Sequence, residues 1–142
     1  MKLLLLISVL VSASNAGELF WGDATEITNN GLFSLQCQHD GKFLTAGKDG
    51  TPERQEWFDS PNQKFVFTSS TKNNESSWKL TPVDEKNAIT DHYKITDVGH
   101  GKYQLKSFSS GKCLQAQGRN AVGESDCVKD DPTQRWFAAV AT

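Results

Sequence analysis

Short alternations of apolar and polar residues run through most of this 142-residue chain. Phe33, Leu35 and Cys37 alternate with polar residues, and Tyr103 and Leu105 repeat the pattern later in the chain. An apolar residue at every second position places one face of a strand against a core and the other face in solvent. Clusters of Gly, Asn, Asp and Pro separate the alternations, and no segment keeps a helical period beyond two turns. The pattern predicts an all-β protein of ten to twelve short strands.

Three blocks in the first part of the chain return later in almost the same register. The matching pairs are 31–35 with 101–105, 41–46 with 111–116, and 59–65 with 130–136, so only the third is displaced, by a single position. A repeat that cannot bury its own apolar face must stack on other copies of itself. The middle of the chain matches more weakly, as a trimmed copy. We therefore expect three units, at approximately 31–70, 71–100 and 101–142.

Three units of four strands predict a closed barrel capped by hairpins, because closure removes the exposed edges of a sheet. A generic sandwich of about ten strands is the alternative. The common register of the repeats favours the threefold barrel. The polar segment from Ser69 to Ser77 is expected to be a long connection between the first two units.

The first sixteen residues have the pattern of a secretory signal peptide. Lys2 supplies a basic start, residues 3–11 are dominated by Leu, Ile and Val, and small residues suit cleavage after Ala16. The apolar run is too short to span a bilayer comfortably, and no later segment is long and apolar enough. An uncleaved anchor is the alternative. The sequence thus predicts a secreted, extracellular protein with one domain at 17–142 and no membrane span.

The formal net charge is −2, and removal of Lys2 with the signal peptide would make it −3. A protein that follows a phosphate backbone would instead carry a basic stripe. We therefore expect no nucleic-acid partner.

Three cysteines in a secreted chain would meet an oxidising compartment. Cys113 and Cys127 flank a turn-rich stretch and are the natural pair, and a disulfide there would contribute about 3 kcal/mol to stability. Cys37 lies in an apolar alternation and is expected to be buried and inert, with a bond to another chain as the alternative. No Cys-x-x-Cys or His-x-x-x-His spacing occurs, so we predict no metal and no cofactor. Asn74, followed by Glu and Ser, is an acceptor for an N-linked sugar.

The last unit resembles a known family. Gly-Lys-Cys-Leu at 111–114, then Cys127, then Gln-Arg-Trp at 134–136 resemble one repeat of the ricin B-type β-trefoil lectins. These lectins carry a Gln-x-Trp motif near the end of each of three repeats. Gln-Lys-Phe at 63–65 looks like the same motif with Phe for Trp, and the middle unit has His-Tyr-Lys at 92–94 instead. The resemblance implies a β-trefoil fold and carbohydrate binding, in a divergent member.

The sugar site of that family is not preserved residue by residue. A repeat that binds sugar has an Asp shortly after the Gly-Lys-Cys-Leu block, where this chain has Gln115 in the last unit and Thr45 in the first. The family also has an aromatic residue before the second Cys, and none precedes Cys127. The resemblance therefore does not identify the sugar.

The first unit offers the best candidate for a ligand site. Asn62 and Gln63 keep the Asn-Gln pair of the family, Trp57 is a candidate stacking platform, and Gln134 is the relic in the last unit. An aromatic face can cover the apolar face of a sugar ring, while amides bond its hydroxyls. The alternative is structural: the glutamines would satisfy backbone groups, and Trp57 would pack in the core.

These features predict a secreted, lectin-like recognition protein that binds glycans or glycoproteins and is not an enzyme. The alternative is a secreted trefoil that binds protein, such as a protease inhibitor or a cytokine-like ligand, because function resides in loops on the fold. We predict no catalytic residues. Adjacent acid-base pairs such as His39 and Asp40 would point to opposite faces of a strand, and no Gly-x-Ser-x-Gly motif occurs.

Overall fold

The computed structural model describes residues 26–141, which form ten strands and three short 3-10 turns. The strands are β1 Gly31–Cys37, β2 Phe43–Ala46, β3 Pro52–Gln55, β4 Phe65–Lys72, β5 Glu75–Pro82, β6 Tyr93–Gly99, β7 Lys102–Ser107, β8 Cys113–Gln117, β9 Ala121–Ser125 and β10 Trp136–Val140. Within this part of the chain, no helix has the length and apolar character needed to cross a membrane. The predicted signal peptide at 1–16 lies outside the described residues.

Six of the strands form a closed antiparallel ring. The order around the ring is β1, β4, β5, β6, β7 and β10, and β10 pairs again with β1. The hairpins β2–β3 and β8–β9 lie outside this ring and meet through Glu53 and Ala121. Because the ring has no unpaired edge, the structure has the closed architecture predicted from the repeats and not that of a sandwich.

The register of the ring displays the threefold repeat directly. The strands that close the three units, β4, β6 and β10, each begin with a buried aromatic residue. Each of these residues pairs with an aromatic residue on the first strand of its own unit. The pairs are Phe65 with Phe33, Tyr93 with Trp78, and Trp136 with Tyr103. The segments that contain Phe33 and Tyr103 therefore occupy equivalent places, as the repeat pattern requires.

The middle unit has no cap hairpin. Residues 83–92 contain no strand, and Ile89 alone enters the core cluster that Leu44 and Leu114 join from the two hairpins. The backbone N–H of Ile89 donates to the carbonyl of Leu80 at 3.3 Å. A single apolar side chain thus fills the third position of the cap.

The expectation of a long polar connection at 69–77 is wrong. β4 and β5 stay paired as far as Lys72 and Glu75, and the turn between them consists of Asn73 and Asn74, with φ of 54° and 64°. A positive φ at both central residues suits a tight hairpin turn that Asn tolerates. The outer part of this hairpin is largely exposed, so its Ser and Thr residues need not alternate with apolar ones.

A buried arginine ties the two cap hairpins together. Arg54 on β3 is 1% exposed, and its Nε donates to Oδ2 of Asp40 at 2.8 Å. The guanidinium also donates to the carbonyls of Gly118 and Ala121 in the β8–β9 hairpin. A buried charge is tolerated when it is paired and fully hydrogen-bonded, and this cation satisfies both conditions.

A loop of the shortened middle unit lies close against a glycine of the first hairpin. Gly50 has φ of 76°, and a Cβ there would lie 2.2 Å from the carbonyl oxygen of Ala88. Gly111 has nearly the same φ, 73°, with nothing within 4 Å of a Cβ. Substitution of the two glycines thus separates the free-energy cost of a left-handed backbone from the cost of a steric clash.

We expect Gly50→Ala to lower the free energy of unfolding by roughly 2–4 kcal/mol, since it adds a backbone clash to the left-handed penalty. Gly111→Ala should cost only about 1 kcal/mol, from the backbone conformation alone. Urea denaturation of both variants measures the difference. Equal losses would show that the loop at 87–90 does not pack against the first hairpin.

Candidate functional site

The side chain of Gln63 is directed into the fold. It is 1% exposed, and its amide nitrogen donates to the carbonyl of Glu56 at 2.7 Å and to the hydroxyl of Thr45 at 3.3 Å. Its amide oxygen accepts the backbone N–H of Phe58 at 2.9 Å. Gln63 therefore holds the loop at 56–58 in place and has no polar atom directed to solvent.

Gln134 makes the corresponding bonds in the last unit and accepts one more, from Gln104 Nε2 at 3.1 Å. It is 1% exposed, it donates to the carbonyl of Asp126 at 2.8 Å and to Gln115 Oε1 at 2.9 Å, and it accepts the N–H of Val128 at 2.8 Å. Each partner occupies the position of its counterpart in the first unit, in the register that aligns 41–46 with 111–116. The structure thus supports the structural interpretation of Gln63 and Gln134, because both side-chain amides are hydrogen-bonded to backbone groups of their own unit.

Trp57 stands where the last unit has a disulfide cysteine. The same register matches Phe43 with Cys113 and Trp57 with Cys127. The rings of Phe43 and Trp57 have their centroids 4.8 Å apart, and Cys113 and Cys127 are joined by the predicted disulfide. An aromatic contact in one unit therefore links the same two segments that a covalent bond links in the other. Trp57 is partly buried by this packing.

Asn62 lies in the same loop region and is also tied internally. Its Nδ2 donates to the carbonyl of Ala46 at 3.3 Å, and its Oδ1 accepts the hydroxyl of Ser60. Thr45, at the position of the family's Asp, is buried and donates to the carbonyl of Phe43 at 3.0 Å. The first unit thus brings the predicted residues together but engages Asn62 and Gln63 in its own framework and offers no carboxylate at that position.

A groove of about 610 Å³ lies elsewhere, between the β4–β5 hairpin and the loop after β7. It combines hydroxyl, amide, carboxylate and imidazole groups with one aromatic ring. The lining residues are Ser70, Asn73, Glu75, Ser77, His92 and Phe108. Phe108 is 45% exposed. An accessible ring with polar groups around it is the combination that a sugar requires.

A hydrogen-bonded network holds the loop that carries Phe108. Asp91 stands two residues before the leading aromatic of its strand, the position that glutamine has in the other two units. Its carboxylate accepts the hydroxyls of Ser107 and Ser109, the latter at 3.0 Å. The N–H of Phe108 donates to the carbonyl of His92 at 3.0 Å. Asp91, the residue at the motif position of the middle unit, therefore holds a loop of the last unit in place.

A second, smaller groove of about 210 Å³ adjoins the first. Glu75 and Phe108 belong to both, and the second groove adds Lys94, Lys106, Ser107 and Gly111. We refer to the lining of the two grooves together as the Phe108 surface. Asn74, the predicted glycosylation site, lies at the exposed tip of the neighbouring hairpin, between two lining residues.

The structure does not prepare Cys37 as a nucleophile. It is buried, as expected, and is not joined to another cysteine of the described chain; burial raises the pKa of its thiol to about 11 because the thiolate is disfavoured away from water. Among residues 26–141, no group of three or more His, Cys, Asp and Glu side chains is placed to hold a metal ion.

No protein-family model and no curated protein sequence matches this chain. Solved structures do match. A ricin B-like lectin from Macrolepiota procera, in complex with lactose, aligns with a TM-score of 0.63 and 10% identity over 80% of this chain and 98% of the lectin. SeviL bound to asialo-GM1 saccharide aligns with a TM-score of 0.61 and 13% identity, over 80% of this chain and 100% of SeviL. The BEL β-trefoil aligns with a TM-score of 0.63 and 12% identity, over 84% of this chain and 99% of the BEL chain.

At these identities the similarity establishes the fold. The chain is a β-trefoil, as its repeats and its resemblance to the ricin B-type proteins predicted, and it shares this fold with ricin B-like lectins.

We expect Gln63→Leu to lower the free energy of unfolding by roughly 2–4 kcal/mol, since it removes the partners of the Phe58 N–H and the Glu56 carbonyl. Asn62→Ala loses the long bond to the Ala46 carbonyl and the bond from the Ser60 hydroxyl, and it should cost only about 1 kcal/mol because both sites are partly buried. Thermal and urea unfolding of the two variants provide the comparison. A Gln63→Leu protein as stable as the wild type would contradict the structural role of the glutamine.

Proposed function

We propose that this protein is a secreted, non-enzymatic carbohydrate-binding protein that binds glycans or glycoproteins at the Phe108 surface. The observation that carries the proposal is the exposed Phe108 ring beside a groove lined with hydroxyl, amide and carboxylate groups. Sugar rings have one apolar face and several hydroxyls, so such a surface matches both parts of the ligand.

The network around Asp91 supports this proposal. An exposed aromatic ring that is held by its loop loses little conformational freedom when a ligand stacks on it. Ser107 Oγ accepts the backbone N–H groups of Ser109 and Ser110, each at 3.1 Å, so the loop is bonded on both sides of Phe108. A shallow open groove of this kind is typical of affinities between millimolar and micromolar, or about 4–8 kcal/mol per site.

The similar structures support the same class of ligand. The Macrolepiota procera lectin holds lactose, and SeviL holds the asialo-GM1 saccharide. For this chain we propose glycan binding on the fold that it shares with them, at a surface argued from its own residues.

A second candidate function, binding of a protein, is favoured by a different observation. Phe58 and Val128 are 66% and 53% exposed, and they occupy matching positions of the first and last units, in loops that Gln63 and Gln134 hold in the same way. A complex with a protein would remove these apolar side chains from water, which is favourable. A secreted protease inhibitor or a cytokine-like ligand would use such loops.

We expect the secreted protein to bind a subset of a glycan array at high protein density, and Phe108→Ala to lose that binding by tenfold or more, the effect of about 1.4 kcal/mol of lost stacking. Phe58→Ala is the matched control, since it removes an exposed phenylalanine outside both grooves, and it should bind as the wild type does.

Two results would contradict the proposed site or function. Loss of binding in Trp57→Ala and Asn62→Ala, with Phe108→Ala unaffected, would return the site to the first unit. Silence on the whole array, together with protease inhibition or receptor binding that Phe58→Ala removes, would establish the second candidate.

A further inference from the structure

We infer that the Phe108 surface selects acidic carbohydrates, whose carboxylate or sulfate group is bound by Lys94 and Lys106 while the sugar ring stacks on Phe108. This inference rests on the proposed function and names its class of substrate. The surface carries a pair of lysines that a site for neutral sugars does not need.

The two lysines are a pair of like charges held opposite each other. Lys94 on β6 and Lys106 on β7 are direct cross-strand partners in the ring. Their neighbours Tyr93 and Leu105 are buried, so the alternation of the strands places both lysines on the outer face. Like charges directly opposite each other on a sheet are destabilising. The fold therefore maintains a local repulsion that an anionic ligand would relieve.

The positive charge of the pair is only partly neutralised. Nζ of Lys94 lies 3.7 Å from Oε1 of Glu75, with both side chains about half exposed. Among the described side chains Lys106 has no ion-pair partner. Among the residues that line the smaller groove, one carboxylate thus accompanies two ammonium groups. A second carboxylate, that of Asp91, lies beside the groove with its oxygens bonded to the hydroxyls of Ser107 and Ser109.

The surroundings of the lysines favour an acid that is carried on a sugar. Both lysines line the smaller groove together with Phe108. Gly111 lies in the same groove without a side chain, and nothing lies within 4 Å of where its Cβ would be. The lysines can therefore bind an acidic group while the ring of the same sugar covers Phe108.

The test compares neutral oligosaccharides with otherwise matched ones that carry sialic acid, glucuronic acid or sulfate, using the full secreted protein. We expect tighter binding of the acidic members, with an affinity that falls as salt concentration rises. Lys106→Gln should reduce the affinity for acidic glycans by about tenfold or more, the range of a lost charged hydrogen bond, and so reduce or abolish their advantage over neutral glycans. The sialic, uronic and sulfate arms distinguish a carboxylate ligand from a sulfate ligand.

Lys48→Gln is the control, because it removes the same charge from an exposed residue outside both grooves. Thermal unfolding supplies a second readout: Lys106→Gln should be as stable as the wild type or more stable, since it removes the cross-strand repulsion. A structural lysine would show the opposite effect on stability.

Four outcomes would overturn the inference. Equal binding of neutral and acidic glycans would refute acidic selectivity. Equal losses in Lys48→Gln and Lys106→Gln would refute the role of the lysine pair. Either result would leave the proposed glycan binding intact. Binding of polyglutamate as tight as that of acidic glycans, with no effect of Phe108→Ala, would indicate an acidic protein as the ligand. Absence of binding to any glycan would refute the proposed function as well.

Discussion

Closure of the six-stranded ring around three equivalent aromatic pairs is the constraint on which the rest of this protein depends. Phe65, Tyr93 and Trp136 each start the last strand of a unit and pair inside that unit, so the three units meet around one core. Burial of each ring is worth about 2–3 kcal/mol by area. Because these contacts come from the ring strands, the fold does not require every unit to keep its hairpin, its glutamine or its cysteines.

The three units differ in what they place on this common frame. The last unit closes its hairpin base with a disulfide, the first does so with the contact of Phe43 and Trp57, and the middle unit dispenses with the hairpin. Glutamine occupies the motif position in two units, where it holds backbone, and Asp91 occupies it in the middle unit, where it reaches the loop of Phe108. The least regular unit thus helps to build the surface proposed to bind sugar.

The repeats and alternations were sufficient to predict the all-β class and the threefold ring, because both depend on apolar residues at fixed spacing. The Cys113–Cys127 bond was predicted from two cysteines that flank a turn-rich stretch. The β4–β5 hairpin was missed, since its outer part is exposed and shows no alternation. The Phe108 surface was missed for a related reason: its polar residues come from segments that are distant in the chain and have no motif in common. Trp57 and the two glutamines were ambiguous because the same residue types serve packing and sugar binding, and only their contacts separate the two roles.

The most direct test of this account is a two-dimensional amide NMR titration of the protein with an acidic oligosaccharide. The account predicts chemical-shift changes concentrated at the turn of the β4–β5 hairpin, at His92, and at 106–111, with the core of the ring unchanged. Shifts centred instead on Trp57 and Asn62 would contradict the account and place the ligand in the first unit. An unchanged spectrum at saturating oligosaccharide would contradict sugar binding at either location.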